Sequence, residues 1–336
     1  MKLAQSVKIL DLQSIAGAER IETASVLGYK VVCQKGLYQV GQIAAFINPD
    51  TIIKRKPWSE FLFKGEEDKK DKVRLKVMRM RGQTSQGLLV PLVDVGQTCS
   101  EEGVDFTEAL EVQKFEKSIE CLNADAVGYM PSFLRKTDED NLRSNVGALA
   151  ELQGKEVYIS TKVDGMSGTF FFNKGEFGVC SRKLQLVKTQ GNSFWDIVAK
   201  YDLENKMRGL LTDKVNIAVQ GECYGENIQG NKLGIKGRDI KVFDVWDIDN
   251  QKYLGLDNIK TACLSLELPM VDIIYRGGCN FTLDDLIKMA NEVKYPNGAV
   301  GEGIVCRPVN TTYSEVLGRR LSVKVISEKF ALKHGE

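Results

Sequence analysis

Short apolar runs separated by polar turns constrain the fold of this chain more than any other feature of its sequence. Residues 155–327 contain seven of these runs, each with β-branched or aromatic side chains. Such runs predict β-strands. They are EVYISTKV, GTFFFN, FGVCSR, VNIAVQGECYG, IKVFDVWDI, EGIVCRP and LSVKVIS. Helical periodicity lies between them, in SFWDIVAKYDLENKMRGLL (193–211) and LDDLIKMANEV (283–293). We therefore predict a domain of mixed sheets and helices, with an α+β fold overall.

The first hundred residues predict a separate, all-β region. ASVLGYKVVCQKGLYQVGQIAAFI (24–47) and KVRLKVMRMRG (72–82) read as strands broken by glycine, followed by a turn at GQTSQG and a strand at QGLLVPL. Short strands of this kind suit a small Greek-key barrel such as an OB-fold. Barrels of this type often bind oligonucleotides, although many small barrels bind other ligands.

The segment between these regions has a different pattern. EEGVDFTEALEVQKFE (101–116) predicts a helix, and YMPSFLRKTDEDNLRSNVGALAEL (129–152) predicts a connector that runs into a helix. We predict an OB-fold domain at 1–115, a linker and helical connector at 116–150, and a second domain at 151–336.

Composition narrows the class of protein. The 336 residues carry a net charge of +1, and no apolar run reaches the ~18 residues of a membrane span. The N-terminus is too polar for a signal peptide, so we expect a cytoplasmic protein without a membrane partner. A basic stretch from Lys54 to Arg81, which includes Lys64, Lys69 and Lys70, could bind nucleic acid or could be a solvated face.

The histidine and cysteine content excludes several chemistries. The single histidine is His334, so Ser-His-Asp catalysis, Cys-His catalysis and histidine-bound metals are disfavoured. The eight cysteines form no CxxC pair, which predicts free thiols. Catalysis would depend on Lys, Arg, Asp, Glu, backbone amides or a metal held by oxygen atoms.

One short stretch, STKVDGMSGT (160–169), combines a cation, an anion and two glycines at the end of a predicted strand. Lys162 and Asp164 are two residues apart and share a strand face, and Gly165 and Gly168 permit a tight turn and close approach of a ligand to the backbone. Alone, this pattern is weak, because a surface strand can carry such a pair without any function.

Further charged residues lie in or beside apolar strands downstream. Burying a charge is unfavourable unless it is paired or functional. Each residue could belong to a structural ion pair, but the ordered set favours a common site. The set comprises Ser181-Arg182, Glu222 in QGECYG, Phe243-Asp244 in VFDVWDI, Glu302 in GEGIVCRP and Lys324 in LSVKVIS.

That order resembles the covalent nucleotidyltransferase superfamily of ATP-dependent ligases and mRNA capping enzymes, over roughly Thr137 to Lys333. The matches are Lys162-Val163-Asp164-Gly165 (K-x-D-G), Ser181-Arg182, Phe243-Asp244-Val245, Glu302-Gly303-Ile304-Val305 and Lys324. The resemblance implies that 151–336 is a nucleotidyltransferase domain, an ATP-grasp-like ligase domain of antiparallel sheets with helices. The last motif departs from the usual double lysine, because the next lysine is Lys329.

Domain order selects a branch of the superfamily. The β-rich region precedes the motifs, and few residues follow Lys324, whereas DNA ligases and capping enzymes usually carry an OB domain after the last motif. With RMRGQTSQGLLVPL and LRKTDED, this order resembles the RNA ligases of the Naegleria/Deinococcus type. We expect an ATP-dependent RNA ligase that transfers AMP to a lysine and then to an RNA 5′-phosphate, before a 3′-OH displaces AMP. Such a role suits RNA repair.

The resemblance also implies roles for individual residues. Lys162 would be the nucleophile, although an ordinary lysine has a pKa of about 10.4. A carboxylate alone would favour the ammonium form, so Asp164 suits a metal shell better than direct pairing with Lys162. Asp164, Glu222 and Glu302 would surround a hydrated Mg²⁺ or Mn²⁺. Phe243 would stack on adenine, Arg182 would contact the ribose or phosphate, and Lys324 would hold the α-phosphate. Arg143 would contact the phosphates or the RNA end, and Thr161, Val163 and Gly165 would lie beside the nucleotide.

The same family suggests a role for the N-terminal barrel. Arg79 and Arg81 are two residues apart and would share one face of a strand. We expect the barrel to close over the active site, with these arginines on the β- and γ-phosphates of ATP, and its basic face to hold RNA. A solvated face is the alternative.

The expected partners are RNA 3′-OH and 5′-phosphate ends, with a nicked duplex as one candidate, and the expected state is a monomer. A DNA ligase, a capping guanylyltransferase and an inactive OB-fold nucleic-acid-binding protein stay open as alternatives.

Overall fold

The computed structural model describes residues 2–63, 71–115, 125–210 and 216–334. The chain divides into two compact units. The first comprises Met1–Ser118, Asn141–Gly147 and Glu328–Glu336, and the second comprises Ile119–Asp140 and Ala148–Ser327. Lys64, Lys69 and Lys70 of the basic stretch, and residues 116–124 of the predicted linker, lie outside the described residues. The predicted domain limits stay predictions.

Antiparallel strands build the first unit, as the sequence predicts. Three small sheets have the orders β1-β5-β10, β2-β3-β4 and β11-β6-β7, and β8 pairs with β9 in a hairpin. The strands are β1 (Ala4–Lys8), β2 (Asp11–Ser14), β3 (Ile21–Val26), β4 (Tyr29–Gln34), β5 (Ile43–Ile47), β6 (Thr51–Lys54), β7 (Lys72–Leu75), β8 (Met78–Met80), β9 (Gln83–Ser85), β10 (Leu88–Val90) and β11 (Gln113–Lys114). Short 3-10 helices cover Pro57–Phe63, Leu92–Val95 and Leu142–Ser144.

Strand β5 is buried on both of its faces. Ala45 and Ile47 pack into one apolar cluster, and Ala44 and Phe46 pack into another. Successive side chains of a strand point to opposite faces, so its sequence IAAFI lacks the alternation of a half-buried strand. The core of this unit therefore lies on both sides of β5.

The prediction of a helix at 101–116 is wrong. Phe106, Leu110 and Val112 are buried in the core of the first unit, where the chain makes turns and then pairs as β11. Glu111 has a left-handed backbone (φ 55°), which ends any helical course. Tertiary packing of the three apolar side chains overrides the helical propensity of the segment.

The prediction that Arg79 and Arg81 share a strand face is also wrong. Arg79 lies in β8, but Arg81 (φ 48°) and Gly82 (φ 84°) form the two-residue turn that joins Met80 to Gln83. Positive φ at both turn residues is the conformation that best matches the twist of a tight hairpin. The segment GQTSQG, predicted to be a single turn, therefore contains strand β9.

A seven-stranded antiparallel sheet forms the larger part of the second unit, in the order β12-β17-β16-β15-β18-β19-β20. Its strands are β12 (Ala126–Tyr129), β15 (Met166–Asn173), β16 (Glu176–Cys180), β17 (Leu184–Leu186), β18 (Ile217–Gly225), β19 (Arg238–Asp247) and β20 (Lys252–Tyr253). Within β15, Phe170 and Phe172 pack into the main core, and Phe171 packs into a smaller cluster on the other face. The alternation expected of a strand fixes which face each ring takes.

A second sheet has the order β13-β25-β22-β14-β21. Its strands are β13 (Asp140–Asn141), β14 (Glu156–Lys162), β21 (Ile273–Gly278), β22 (Gly303–Pro308) and β25 (Val323–Ile326), and a separate hairpin joins β23 (Tyr313–Ser314) to β24 (Arg319–Arg320). All seven apolar runs of 155–327 are thus strands. The two sheets contribute the charged residues that the sequence singles out.

The helices are α1 (Gly147–Leu152), α2 (Ser193–Tyr201), α3 (Leu203–Leu210), α4 (Leu256–Leu266), α5 (Leu283–Glu292) and α6 (Glu328–His334). The predicted helix at 193–211 is two helices, because Asp202 adopts a left-handed C-cap (φ 50°) after α2. α4 was not predicted, although Leu256, Ile259, Cys263 and Leu266 are buried at helical spacing. In the ranges that the structure describes, no helix is long and apolar enough to cross a membrane.

Candidate active site

The K-x-D-G sequence is the place where the chain passes from one sheet to the other. β14 belongs to the five-stranded sheet and β15 to the seven-stranded sheet, and residues 163–165 join them. A Cβ on Gly165 would lie 2.2 Å from the carbonyl oxygen of Cys223 in β18. Only glycine therefore lets the crossing pass so close to β18, which explains Gly165 without a ligand. Its predicted place beside the nucleotide stays a prediction.

Lys162, the predicted nucleophile, is the last residue of β14. Its Nζ lies 2.6 Å from Oε1 of Glu302, and the two side chains are 23% and 9% exposed. Glu302 directly precedes β22, which pairs with β14 so that Lys162 lies opposite Gly303. Gly303 has φ 146°, and a Cβ there would lie 2.1 Å from the carbonyl oxygen of Val325. Strand pairing and this tight backbone contact bring two residues far apart in sequence into an ion pair.

Asp164 has a cationic partner that sequence reasoning missed. Lys232 Nζ, in the loop between β18 and β19, lies 2.9 Å from its Oδ2. Burial raises the pKa of Asp164, and the charge of Glu302 acts in the same direction, while Lys232 opposes them. Lys232 lies in QGNKLG, where nothing in the sequence indicates a partner.

Glu222 lies in β18, directly opposite Ser167 of β15. Ser167 Oγ donates a hydrogen bond of 3.2 Å to Glu222 Oε2. Burial raises the pKa of this carboxyl group to about 8, with Glu302 and Asp164 adding to the effect and Lys162 opposing it. Glu222 is therefore electrostatically coupled to the other residues of the site, although it comes from the other sheet.

The predicted metal ligands form no ready-made direct site. Within 2–63, 71–115, 125–210 and 216–334, no group of three His, Cys, Asp or Glu side chains is arranged to hold a metal ion. The charge pattern nevertheless suits a cation, because the buried Oε2 of Glu302 has no hydrogen-bond partner in these ranges and the carboxylates repel one another. Oxygen ligands of this kind fit a hydrated Mg²⁺ or Mn²⁺ that is bound through its waters.

Lys324 shares a face of the five-stranded sheet with Lys162. Lys324, Val305 and Ser160 lie directly opposite one another on β25, β22 and β14. Side chains in register across neighbouring strands point to the same face, and Lys162 is two residues beyond Ser160. The structure thus places Lys162 and Lys324 on one face.

Thr161 and Val163 flank Lys162 in the chain. Thr161 points to the face opposite Lys162. Both residues line a small pocket whose other walls include Tyr224, Lys241 and Tyr295, and Lys162 is not among its lining residues. Their predicted contact with the nucleotide stays a prediction.

Phe243 occupies a β-bulge in β19. Gln220 pairs with Asp244 and Gly221 pairs with Val242, so Phe243 is the extra residue. Bulges re-aim side chains and are frequent beside active sites. Arg307 Nη1 donates a hydrogen bond of 2.7 Å to the carbonyl oxygen of Phe243, which fixes the bulge from β22.

Asp244, the partner of Phe243 in the predicted motif, is part of a buried ion network. Arg320 donates to both of its carboxylate oxygens, at 2.7 and 2.8 Å. Glu139 accepts hydrogen bonds from Arg307 at 2.6 Å and from Arg320 at 3.1 Å. Burial raises the pKa of Glu139, but the charges of the two arginines outweigh it and lower this pKa to about 2. These charged residues in apolar strands form a structural network that the sequence could not assign.

Two predicted phosphate ligands are already engaged. Arg182 Nη2 lies 2.6 Å from Oδ1 of Asp138. Arg143, in the first unit, is 2% exposed, with Nη2 3.1 Å from Oε1 of Glu328, and its Nε has no hydrogen-bond partner in the described part of the chain. A phosphate contact by Arg143 would require this guanidinium to become accessible, and it stays a prediction.

Two models of protein families match the chain. A family model of RNA ligases matches residues 155–326, and a model of an OB-fold domain matches residues 3–92. The chain belongs to the RNA ligase family. This confirms the predicted superfamily and the predicted N-terminal OB-fold. A search of curated proteins found no match.

Solved structures of Naegleria gruberi RNA ligase match the whole chain. A ligand-free mutant is 29% identical, covers 99% of this chain and 98% of its own, and gives a TM-score of 0.85. The same ligase with PPi is 29% identical, covers 99% of each chain, and gives 0.84. A mutant with AMP and Mn is 28% identical, covers 98% of each chain, and gives 0.84. The fold and domain order of the expected branch are confirmed.

Substituting Glu139 with Gln should expose the pH dependence of the buried network. Because the pKa of Glu139 is lowered to about 2, its stabilising effect is present above pH ~4.5 and lost as the pH falls towards 2. We expect Glu139→Gln to lower the free energy of unfolding at pH 7 by on the order of 3 kcal/mol. Urea unfolding across this pH range should show the difference shrinking at low pH. Glu267→Gln removes an exposed partner of Lys206 and should have little effect, and equal losses in both variants would contradict the network's role.

Proposed function

We propose that this protein is an ATP-dependent RNA ligase that uses Lys162 as its nucleophile. The observation that carries the proposal is the Lys162–Glu302 ion pair at the crossing between two sheets, with Asp164 and Glu222 beside it. Membership of the RNA ligase family supports it. The similar Naegleria gruberi ligase structures are described with ATP and Mn, with AMP and Mn, and with PPi, which are the substrate, the transferred nucleotide and the leaving group of this chemistry.

In the first step, Nζ of Lys162 forms a bond to the α-phosphorus of ATP, and the bond to pyrophosphate breaks. Lys162 must first lose a proton, and its ion pair with Glu302 favours the ammonium form. Separation of this ion pair is therefore part of activation. Bound beside these carboxylates, a divalent cation would offset their charge and stabilise the negative charge on the α-phosphate. Lys324 shares the face of Lys162 and would position the same phosphate.

Two transfers would follow. AMP moves from Lys162 to the 5′-phosphate of RNA, and the 3′-OH then attacks that phosphate and releases AMP. Both steps need orientation and charge stabilisation more than further covalent catalysis. We further propose that the substrates are RNA 3′-OH and 5′-phosphate ends, with a nicked duplex as one candidate. The protein would act as a cytoplasmic monomer in RNA repair. A DNA ligase or a capping guanylyltransferase would share the first step, and sealing tests on RNA, DNA and mixed nicks would distinguish them.

Replacing Lys162 with Met should abolish labelling of the protein by α-labelled ATP on a denaturing gel. The variant loses the attacking amine but keeps a side chain of similar length. Lys206→Met, which removes another ion-paired lysine of the second unit, should be labelled like the wild type. Label on Lys162→Met would refute the assignment of the nucleophile, and circular dichroism would verify that both variants fold.

Replacing Glu222 or Glu302 with Gln should slow formation of the labelled protein by about 10–100-fold, the range typical of groups that orient a metal shell. Gln keeps the shape and removes the charge, so more metal should be needed to reach half of the maximal rate. The measurement is the labelling rate across a Mg²⁺ and Mn²⁺ titration, with Glu267→Gln as the control. Near-normal rates for both variants at every metal concentration would reject a metal role.

Replacing Arg79 and Arg81 together with Ala distinguishes two roles for the hairpin that carries them. Contacts of Arg with phosphate are typically worth about 1.5–3 kcal/mol each, so arginines that bind the β- and γ-phosphates would raise the KM for ATP at least ~10-fold. Arginines that hold only RNA would leave labelling intact and impair sealing by protein already carrying AMP. We expect the first result. Wild-type labelling kinetics would contradict it, and a double Ala variant of the exposed Lys72 and Lys76 is the matched control.

A further inference from the structure

Tyr295 lies in the loop between α5 and β22 and is 5% exposed. Its N–H donates to the carbonyl oxygen of Ala299 at 2.8 Å, and its own carbonyl oxygen accepts from the N–H of Gly298 at 2.8 Å. The turn Tyr295-Pro296-Asn297-Gly298 closes with Gly298 at φ 80°. Both backbone groups of Tyr295 are thus held, so the position of its side chain is well defined.

The hydroxyl group of Tyr295 contacts three segments of the site. It accepts hydrogen bonds from the N–H of Asp164 at 2.9 Å and from the N–H of Glu302 at 3.1 Å. It lies 3.3 Å from the carbonyl oxygen of Lys162, to which it donates. A tyrosine hydroxyl has one proton to donate and two lone pairs. All of its hydrogen-bonding capacity is therefore used on the backbone of the nucleophile and of two acidic residues.

These contacts begin where the strand ladder ends. The pairing of β14 with β22 stops at Lys162 opposite Gly303, so the N–H groups of Asp164 and Glu302 lie beyond the ladder. A buried N–H without a hydrogen-bond partner is unfavourable, because it loses its hydrogen bond to water without a replacement. The Tyr295 hydroxyl supplies the partner for both groups and holds the two ends of the ladder at a fixed separation.

We propose that Tyr295 is a positioning residue for the attack of Lys162 on ATP. This inference rests on the proposed function. The hydroxyl acts through the backbone of Lys162, Asp164 and Glu302 and does not itself touch the nucleotide. It fixes the nucleophile relative to the carboxylates, and a misplacement of about 1 Å in such an arrangement can lower a rate about 100-fold.

The test is Tyr295→Phe, which removes only the hydroxyl oxygen. We expect the single-turnover rate of lysine–AMP formation at saturating ATP to fall about 10–100-fold, while the concentration of ATP at half-maximal rate changes less than about threefold. A general loss of stability in a variant that still folds would not lower the rate at saturating ATP while leaving the half-maximal ATP concentration nearly unchanged. Hydrogen exchange should also quicken at the amides of Asp164 and Glu302. Tyr201→Phe removes another tyrosine hydroxyl contact, a partly buried one to Asp239, and should change neither measurement.

The outcomes separate the inference from the proposed function. Wild-type protein that takes up no AMP would contradict the proposed function and remove the basis of the inference. Wild-type uptake with an equal rate in folded Tyr295→Phe would overturn only the role of Tyr295. An equal fall in Tyr201→Phe would show a general effect of hydroxyl loss and would also overturn it.

Discussion

The passage of the chain between two sheets at residues 163–165 is the constraint on which the site depends. The backbone at Gly165 lies so close to β18 that a side chain there would overlap the carbonyl group of Cys223. The crossing therefore fixes Lys162 at the edge of one sheet and brings Asp164 towards Glu222 of the other. Gly303, the residue after Glu302, imposes a similar limit, since a Cβ added there would overlap the carbonyl group of Val325. Two backbone contacts that admit only glycine thus define the positions of Lys162, Asp164 and Glu302 relative to one another.

Charge is buried in this protein in two different ways. In the network of Glu139, Asp244, Arg307 and Arg320, opposite charges are matched and hydrogen-bonded, and the pKa of Glu139 is lowered. Around Lys162 the balance is different, because three carboxylates share the site and the pKa values of Asp164 and Glu222 are raised. The first arrangement is satisfied by protein groups alone and holds Phe243 in place. In the second, buried carboxylates lie close together beside Lys162 and Lys232, and the raised pKa values show that the protein's own groups do not fully compensate for their burial, as is common at functional sites.

The sequence predicted the strands and the principal charged residues because both leave local signals. Apolar runs define strands, and a charge within such a run, as at Lys324, stands out. The helix at 101–116 was wrongly predicted because burial of Phe106 and Leu110 against distant strands decides that segment. Lys232 and Tyr295 were missed because their contacts are with residues far away in the chain, and Arg307 was missed although it shows the same signal as Lys324. The bulge at Phe243 arises from strand register, which the sequence does not show.

We expect one particular lysine of this site, Lys162, to carry AMP. The structure places Lys162 and Lys232 beside the carboxylates of the site and Lys324 on the same sheet face as Lys162. Peptide mass spectrometry after incubation with ATP and Mn²⁺ can assign the modified residue directly, provided that the acid-labile bond is kept at neutral pH. We expect AMP on the side chain of Lys162 and on neither of the other two lysines. AMP on Lys232 or Lys324, or an unmodified Lys162 in protein that has consumed ATP, would contradict this expectation.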